Sequence, residues 1–270
     1  MNKIARLWWC AVALVVCGMC AGCYTVPVTG RTAFVAVSET EETQLGLQAY
    51  TDAKQKTPIA KDAAATARVA AIGRRIAAVS QYPGWNWEFT VFDQPDVPNA
   101  WCLPGGKVGV YNGIFPYAKT DGELATVMAH EIGHAVARHG GERMSEEMVL
   151  AAGSAVLVGS VSQQNVEKVK VAYGLGSQLF CSLPHSRAQE YEADQIGLVY
   201  MARAGYDPRE ALTFWDRFSK ALSASGKPPE FLSTHPADAN RIAKIKALLP
   251  AALQEYDKAR ATAPRSPAVR

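Results

Sequence analysis

Within a stretch from Gly122 to His139 that reads as a helix stand His130-Glu131-Ile132-Gly133-His134, two histidines four residues apart with a glutamate beside the first. Residues four apart share a helical face, so one imidazole nitrogen from each can reach a single tetrahedral zinc. Glu131 then lies beside the metal, where it suits a general base for an activated water. The setting agrees with the motif. Ala125, Val127, Met128, Ala129, Ile132, Ala135 and Val136 supply helix formers and an apolar face, Thr120 or Asp121 can cap the start, and Gly140-Gly141 is expected to end the helix.

Around that helix the pattern places other helices and a few short strands. Ser38 with Glu41 three residues on is a capping-box start for a helix to about Lys54, and Asp62 to Val79 repeats apolar residues at helical spacing. Trp87 to Phe92 alternates as a strand, and Ala100 to Tyr111 reads as two strands around Pro104-Gly105-Gly106. Met148 to Val161 is apolar, too short to span a bilayer, and reads as a core helix covering the motif helix. Ser162 to Phe180 is helical in character with breaks at Gly174 and Gly176. Helices are expected again at Arg187 to Arg203, at Pro208 to Leu222 behind Asp207, and from Ala237 to about Lys258. With no internal repeat, residues 38–258 make one domain, and residues 259–270, rich in Pro, Ala and Arg, form a disordered tail.

Residues 1–22 carry Lys3 and Arg6, an apolar run from Leu7 through Val16, and Ala21-Gly22 just before Cys23, which is a signal-peptide pattern. The Ala-Gly-Cys ending resembles a bacterial lipobox, so Cys23 is expected to be lipidated as the first residue of the mature lipoprotein. Cys20 stands where such boxes usually carry Leu, which leaves ordinary cleavage or an uncleaved anchor as alternatives. Residues 23–37, punctuated by Pro27 and Gly30, suit a tether between membrane and domain. Without Lys3 and Arg6 the net charge of +3 falls to +1, and nothing suggests nucleic acid as a partner. Cys102 and Cys181 can pair in an oxidising compartment or remain two buried thiols.

A zinc site needs a third protein ligand. The longer HExxHxxGxxH pattern is absent, because Ala137 and Gly140 break it, so His139 does not serve. Ser186 to Asp194 is a helical run in which Glu190 and Asp194 share a face. Glu190 can complete a two-histidine, one-glutamate site with one position left for water, and Asp194 can orient a ligand imidazole. Glu192 reads as a surface residue.

The motif His130 to His134 followed by Ser186-Arg187-Ala188-Gln189-Glu190-Tyr191-Glu192-Ala193-Asp194 resembles the gluzincin peptidases of the HtpX, BepA and CAAX-prenyl-protease type. Val26 to Arg31, Asn99 to Phe115, and Thr234-His235-Pro236 with Arg241 are similar to that family's LoiP-like periplasmic lipoproteins. The resemblance implies an α+β, mainly α, zincin-type metallopeptidase domain with a small β-sheet beside the HExxH helix. It implies one zinc held by His130, His134 and Glu190, with Glu131 catalytic and Asp194 behind the ligands. His235 is then either a transition-state donor or an extra ligand that keeps the site closed, and, read without the resemblance, a turn residue before Pro236. Arg241 anchors that segment or helps the same oxyanion.

An extended peptide could add to the strand edge around Trp101, Gly105-Gly106 and Lys107, with Asn99 fixing the turn, although Gly105-Gly106 also reads as a plain hairpin. The expected function is a zinc endopeptidase acting on misfolded or misassembled envelope proteins. Tyr24 after the lipidated cysteine suggests anchoring on the periplasmic side of the outer membrane. Two other readings stay open: a chaperone-like assembly factor with a latent zinc site, and a zinc hydrolase of small amides or cell-wall peptides.

Overall fold

A computed structural model describes residues 22–157, 185–225, 231, 235 and 239–262. The expectations for residues 1–21, for Ser162 to Phe180, for Cys181 as a partner of Cys102 and for residues 263–270 lie outside the described residues. The main elements are β1 (Cys23–Thr25), β2 (Thr32–Phe34), α1 (Glu39–Lys56), α2 (Ala63–Ala78), β3 (Glu88–Phe92), β4 (Ala100–Leu103), β5 (Lys107–Tyr111), α3 (Asp121–Val136), α4 (His139–Leu157), α5 (Arg187–Arg203), α6 (Glu210–Ser225) and α7 (Ala239–Thr262). The mainly helical class with a small sheet is as expected. Strands β3, β5 and β4 lie in that order, β3 parallel and β4 antiparallel to β5, with β4 packed on α3.

Helix α3 is the spine. It begins with a capping box in which Thr120 Oγ1 accepts from the Glu123 amide and the Glu123 carboxylate accepts from the Thr120 amide. Arg217 of α6 also donates to Glu123 over 2.6 Å, which fixes the orientation of the start. Every residue from Gly122 to Val136 is buried, so the helix is covered all round rather than on one apolar face. Leu124, Met128, Ile132 and Val136 are fully buried, each contributing about 1.5–3 kcal/mol relative to exposure.

The crossing of α3 and α5 depends on two glycines. A Cβ on Gly133 would meet Ala193 O at 2.9 Å, and one on Gly197 would meet the His130 backbone N at 3.0 Å. Backbone therefore touches backbone where the ligands are carried. Gly197→Val is expected to cost about 1–3 kcal/mol through overpacking. A lowered urea midpoint at unchanged slope checks this, and an unchanged midpoint would show that the crossing has slack.

Residues 23–37 are not a tether. Strands β1 and β2 pair antiparallel, Cys23 opposite Phe34 and Thr25 opposite Thr32, around a turn closed by the Val26 amide donating to Arg31 O. Val26, Ala33, Val35 and Val37 are all buried, and Tyr24 Oη donates over 2.6 Å to Val136 O, at the last turn of α3. Pro27 and Gly30 thus serve a docked hairpin, whose apolar residues find partners on the domain.

The glycine pair does not end α3 either. The chain turns at Arg138, which has φ of 58°, and Gly140-Gly141 lies inside α4. Arg138 tolerates this conformation because its guanidinium is held on both sides, by Glu42 Oε2 and Val37 O, each at 2.6 Å. The described part of the apolar stretch expected to cover the motif helix, residues 148–157, forms the far half of α4, where Val149 and Leu150 are more than half exposed. Helix α7 runs on past Lys258 to Thr262, so residues 259–262 of the expected tail are helical. Glu255 of α7 is tied to Arg203 of α5 over 2.7 Å.

Candidate metal centre

His130 and His134 project from one face of α3, Glu190 from the first turn of α5, and His235 from just before α7. The first turn of α5 is set by another capping box, Ser186 with Gln189. Four donors converge there. His130 Nε2 lies 3.0 Å from His134 Nε2, and the two Glu190 oxygens lie 3.4 Å and 3.3 Å from those nitrogens. His235 Nδ1 is 2.9 Å from Glu190 Oε1 and 3.3 Å from His130 Nε2.

Bonds of about 2.0–2.1 Å to a tetrahedral zinc put ligand atoms about 3.3 Å apart, so the donor set has the right size and chemistry. The buried charge agrees. Glu131, Glu190 and Asp194 face one guanidinium, that of Arg241, a deficit that suits a divalent cation. Burial holds the His134 imidazole well below its ordinary range, which keeps it neutral and fit to ligate. Against the cost of burial, His235, His130 and His134 hold the Glu190 carboxyl far below the usual carboxylate range.

Glu131 sits alongside, its Oε1 3.5 Å from His235 Nε2 and without a hydrogen-bond partner among the described residues. Burial pushes its carboxyl up to about 7, the range in which a general base is effective at neutral pH. Asp194 accepts from His130 Nδ1 at 3.0 Å, a contact of the kind that orients a ligand imidazole. Arg241 grips Asp194 with Nε at 2.7 Å and Nη2 at 2.8 Å, reaches Glu190 Oε2 with Nη1 at 2.9 Å, and stacks 3.7 Å over the Trp215 ring. These contacts tie Arg241 to Asp194 and Glu190 of α5. Trp215 and Phe231 wall the site, with the Phe231 ring centroid 4.5 Å from that of His235.

Two further residues stand beside the ligand set. His139 is fully buried, its Nδ1 2.8 Å from His134 Nδ1 and its Nε2 3.0 Å from Glu192 Oε2. Glu192, expected at the surface, is buried beneath the hairpin and receives Thr29 Oγ1 at 2.6 Å and Arg31 Nε at 2.8 Å. Burial opposes its charge, but hydrogen bonds from His139, Arg31 and Thr29 hold the carboxyl down to about 2.

The expected substrate contacts fare differently. Gly105 and Gly106 are buried in the β4–β5 turn with φ of 81° and 82°, against Thr43 and Trp87, so they serve the turn and are not presented to a peptide. Lys107 is buried too, donating to Glu88 and to Asn86 O. Asn99 fixes the start of β4, its Oδ1 accepting from the Ala100 amide and its carbonyl from the Tyr111 amide. Trp101 packs its ring toward Tyr50 and Phe92.

Residues 63–249 match Peptidase family M48. The chain belongs to peptidase family M48. It is 38% identical over 236 residues to the mitochondrial metalloendopeptidase OMA1 of Schizosaccharomyces pombe, covering 84% of this chain and 66% of that protein. To its Arabidopsis thaliana counterpart it is 43% identical over 166 residues, 61% of this chain and 32% of that one. The beta-barrel assembly-enhancing protease of Escherichia coli is 28% identical over 229 residues, 82% of this chain and 46% of the relative. The chain thus spans about a third to two thirds of the length of these relatives. Metallopeptidases of family M48 use zinc, and the cluster of His130, His134, Glu190 and His235 fits that ion.

Proposed function

We propose that this chain is a zinc-dependent endopeptidase hydrolysing unfolded or misassembled proteins of a bacterial envelope, held by a lipid on Cys23 at the periplasmic face of the outer membrane. The observation that carries the peptidase reading is the convergence of His130, His134 and Glu190 beside a Glu131 oxygen unpartnered among the described residues, in a chain of family M48. The envelope reading is supported by the leader pattern, by the exposed Cys23 at the head of β1, and by the likeness to a beta-barrel assembly-enhancing protease.

His130, His134 and Glu190 would hold the ion, which when bound supplies the Lewis acidity that activates a water and polarises the scissile carbonyl. Glu131 takes the proton of the attacking water and returns it to the leaving amine. Asp194 keeps the His130 ring in place, and Arg241 keeps Asp194 and Glu190 in place.

Zinc content and turnover of an unfolded casein, measured for the purified protein with and without a chelator, test the proposal. About one zinc per chain and cleavage lost on chelation and regained on zinc addition are expected. Absence of zinc would overturn it. A second reading, a holding factor with a shut site, is favoured by one observation, the His235 Nδ1 among the ligand atoms. Under it the parent binds zinc without cleaving, and His235→Ala cleaves.

A further inference from the structure

A metal-binding imidazole offers one bare nitrogen and carries its proton on the other. His134 faces the ligand set through Nε2, so its proton is on Nδ1, directed at His139 Nδ1 at 2.8 Å. Two ring nitrogens this close cannot both carry hydrogen, so His139 Nδ1 accepts and its proton sits on Nε2. That nitrogen meets Glu192 Oε2 at 3.0 Å. The chain of hydrogen bonds therefore runs one way, from His134 through His139 to Glu192.

Glu192 is in turn placed by the N-terminal hairpin. Thr29 Oγ1 donates to its Oε1, Arg31 Nε donates to its Oε2, and the Arg31 fork is braced on Glu142 at 2.6 Å and 3.0 Å. Helix α5 thus serves the site from more than one face. Glu190 joins the donor set, Asp194 orients His130, and Glu192, about 200° around the helix from Glu190, faces the hairpin.

We propose that Glu192, set by Thr29 and Arg31, is a positioning residue for the metal centre: it selects the Nε2-protonated tautomer of His139, which leaves His134 Nε2 bare toward the metal. This rests on the zinc reading above. It also extends the metal centre's support to a hairpin outside the span of residues 63–249 matched by family M48. The wrong tautomer of His139 would set donor against donor at His134 and force a proton onto the ligating nitrogen.

The test pairs zinc affinity, by competition with a chromophoric chelator, with imidazole 15N shifts of histidine-labelled protein. The chain has five histidines, so the ring signals are few enough to assign. In the zinc-loaded parent, His139 is expected to show a bare Nδ1 and a protonated Nε2. Glu192→Ala, which removes the acceptor, is expected to weaken zinc binding by about ten- to a hundredfold and to abolish the single tautomer. Glu192→Gln keeps an acceptor oxygen and is expected to restore most of both. Glu192→Leu repeats the first variant where Ala leaves too large a cavity.

Parent affinity and parent shifts in Glu192→Ala or Glu192→Leu would overturn the proposal, as would a Glu192→Gln variant as weak as Glu192→Ala. If neither apolar variant folds, the parent decides, because the opposite tautomer at His139 overturns the inference outright. A parent that binds no zinc removes the proposed function instead, so the two failures are distinguishable.

Discussion

Glu131→Gln is expected to keep about one zinc per chain and to lower kcat/KM on an unfolded casein by about a hundredfold to ten-thousandfold. That range corresponds to about 3–5 kcal/mol of transition-state stabilisation. Metal binding and proton transfer are separable here. Glu131 lies outside the cluster of His130, His134, Glu190 and His235, so the amide removes no ligand. Its Oε1 has no hydrogen-bond partner among the described residues, so the substitution breaks no bond at that atom. What is lost is the proton acceptor. Because burial already disfavours the Glu131 charge, the neutral amide is also expected to leave thermal stability unchanged or slightly raised. Zinc content, melting temperature and turnover check the three parts together. A variant that cleaves within a few-fold of the parent would remove Glu131 from the chemistry, and one that loses zinc would make it structural.

The ligands were legible because helical spacing carries them. His130 and His134 are four apart, as are Glu190 and Asp194, and each pair shares the face that the period dictates. The positions that escaped have a common cause in the hairpin. Strands of three residues are too short for alternation to register, so Thr29 and Arg31 read as part of a tether. With the hairpin removed, Glu192 has nothing above it and reads as solvated, although in the fold it is 8% exposed. His139 escaped for a backbone reason. On a continuous helix, five residues past His134, it would point well away from the ligands, and only the left-handed turn at Arg138 returns its ring to His134. Arg138 is an unusual residue for that conformation, and its support comes from Glu42 and Val37, far away in sequence. Helix periodicity also could not say that Val149 and Leu150 face outward, since an apolar run has the same pattern whether covered or exposed.

Arg241→Met tests the anchor role, and its effect on stability is expected to be among the largest of any single substitution in the chain. The guanidinium is 1% exposed and neutralises Asp194 and Glu190 at 2.7 Å and 2.9 Å while stacking on Trp215. Methionine fills much of the same volume but leaves two buried carboxylates facing His130 without the guanidinium. Breaking a buried pair in this way costs about 3–5 kcal/mol. The metal adds a condition. A bound dication offsets part of the missing positive charge, so the loss is expected to be greater in chelator-treated protein than in zinc-loaded protein. By linkage the variant must then bind zinc more tightly than the parent, because a cation 2.9 Å from the ligand Glu190 no longer competes for it. Urea unfolding with and without zinc measures both quantities at once. Equal midpoints for variant and parent would show that Asp194 and Glu190 are held by other groups, and a loss independent of zinc would separate Arg241 from the charge balance of the metal centre. Asp194→Asn added to Arg241→Met is expected to recover part of the loss, since the two residues share one hydrogen-bonded pair and their effects cannot add independently.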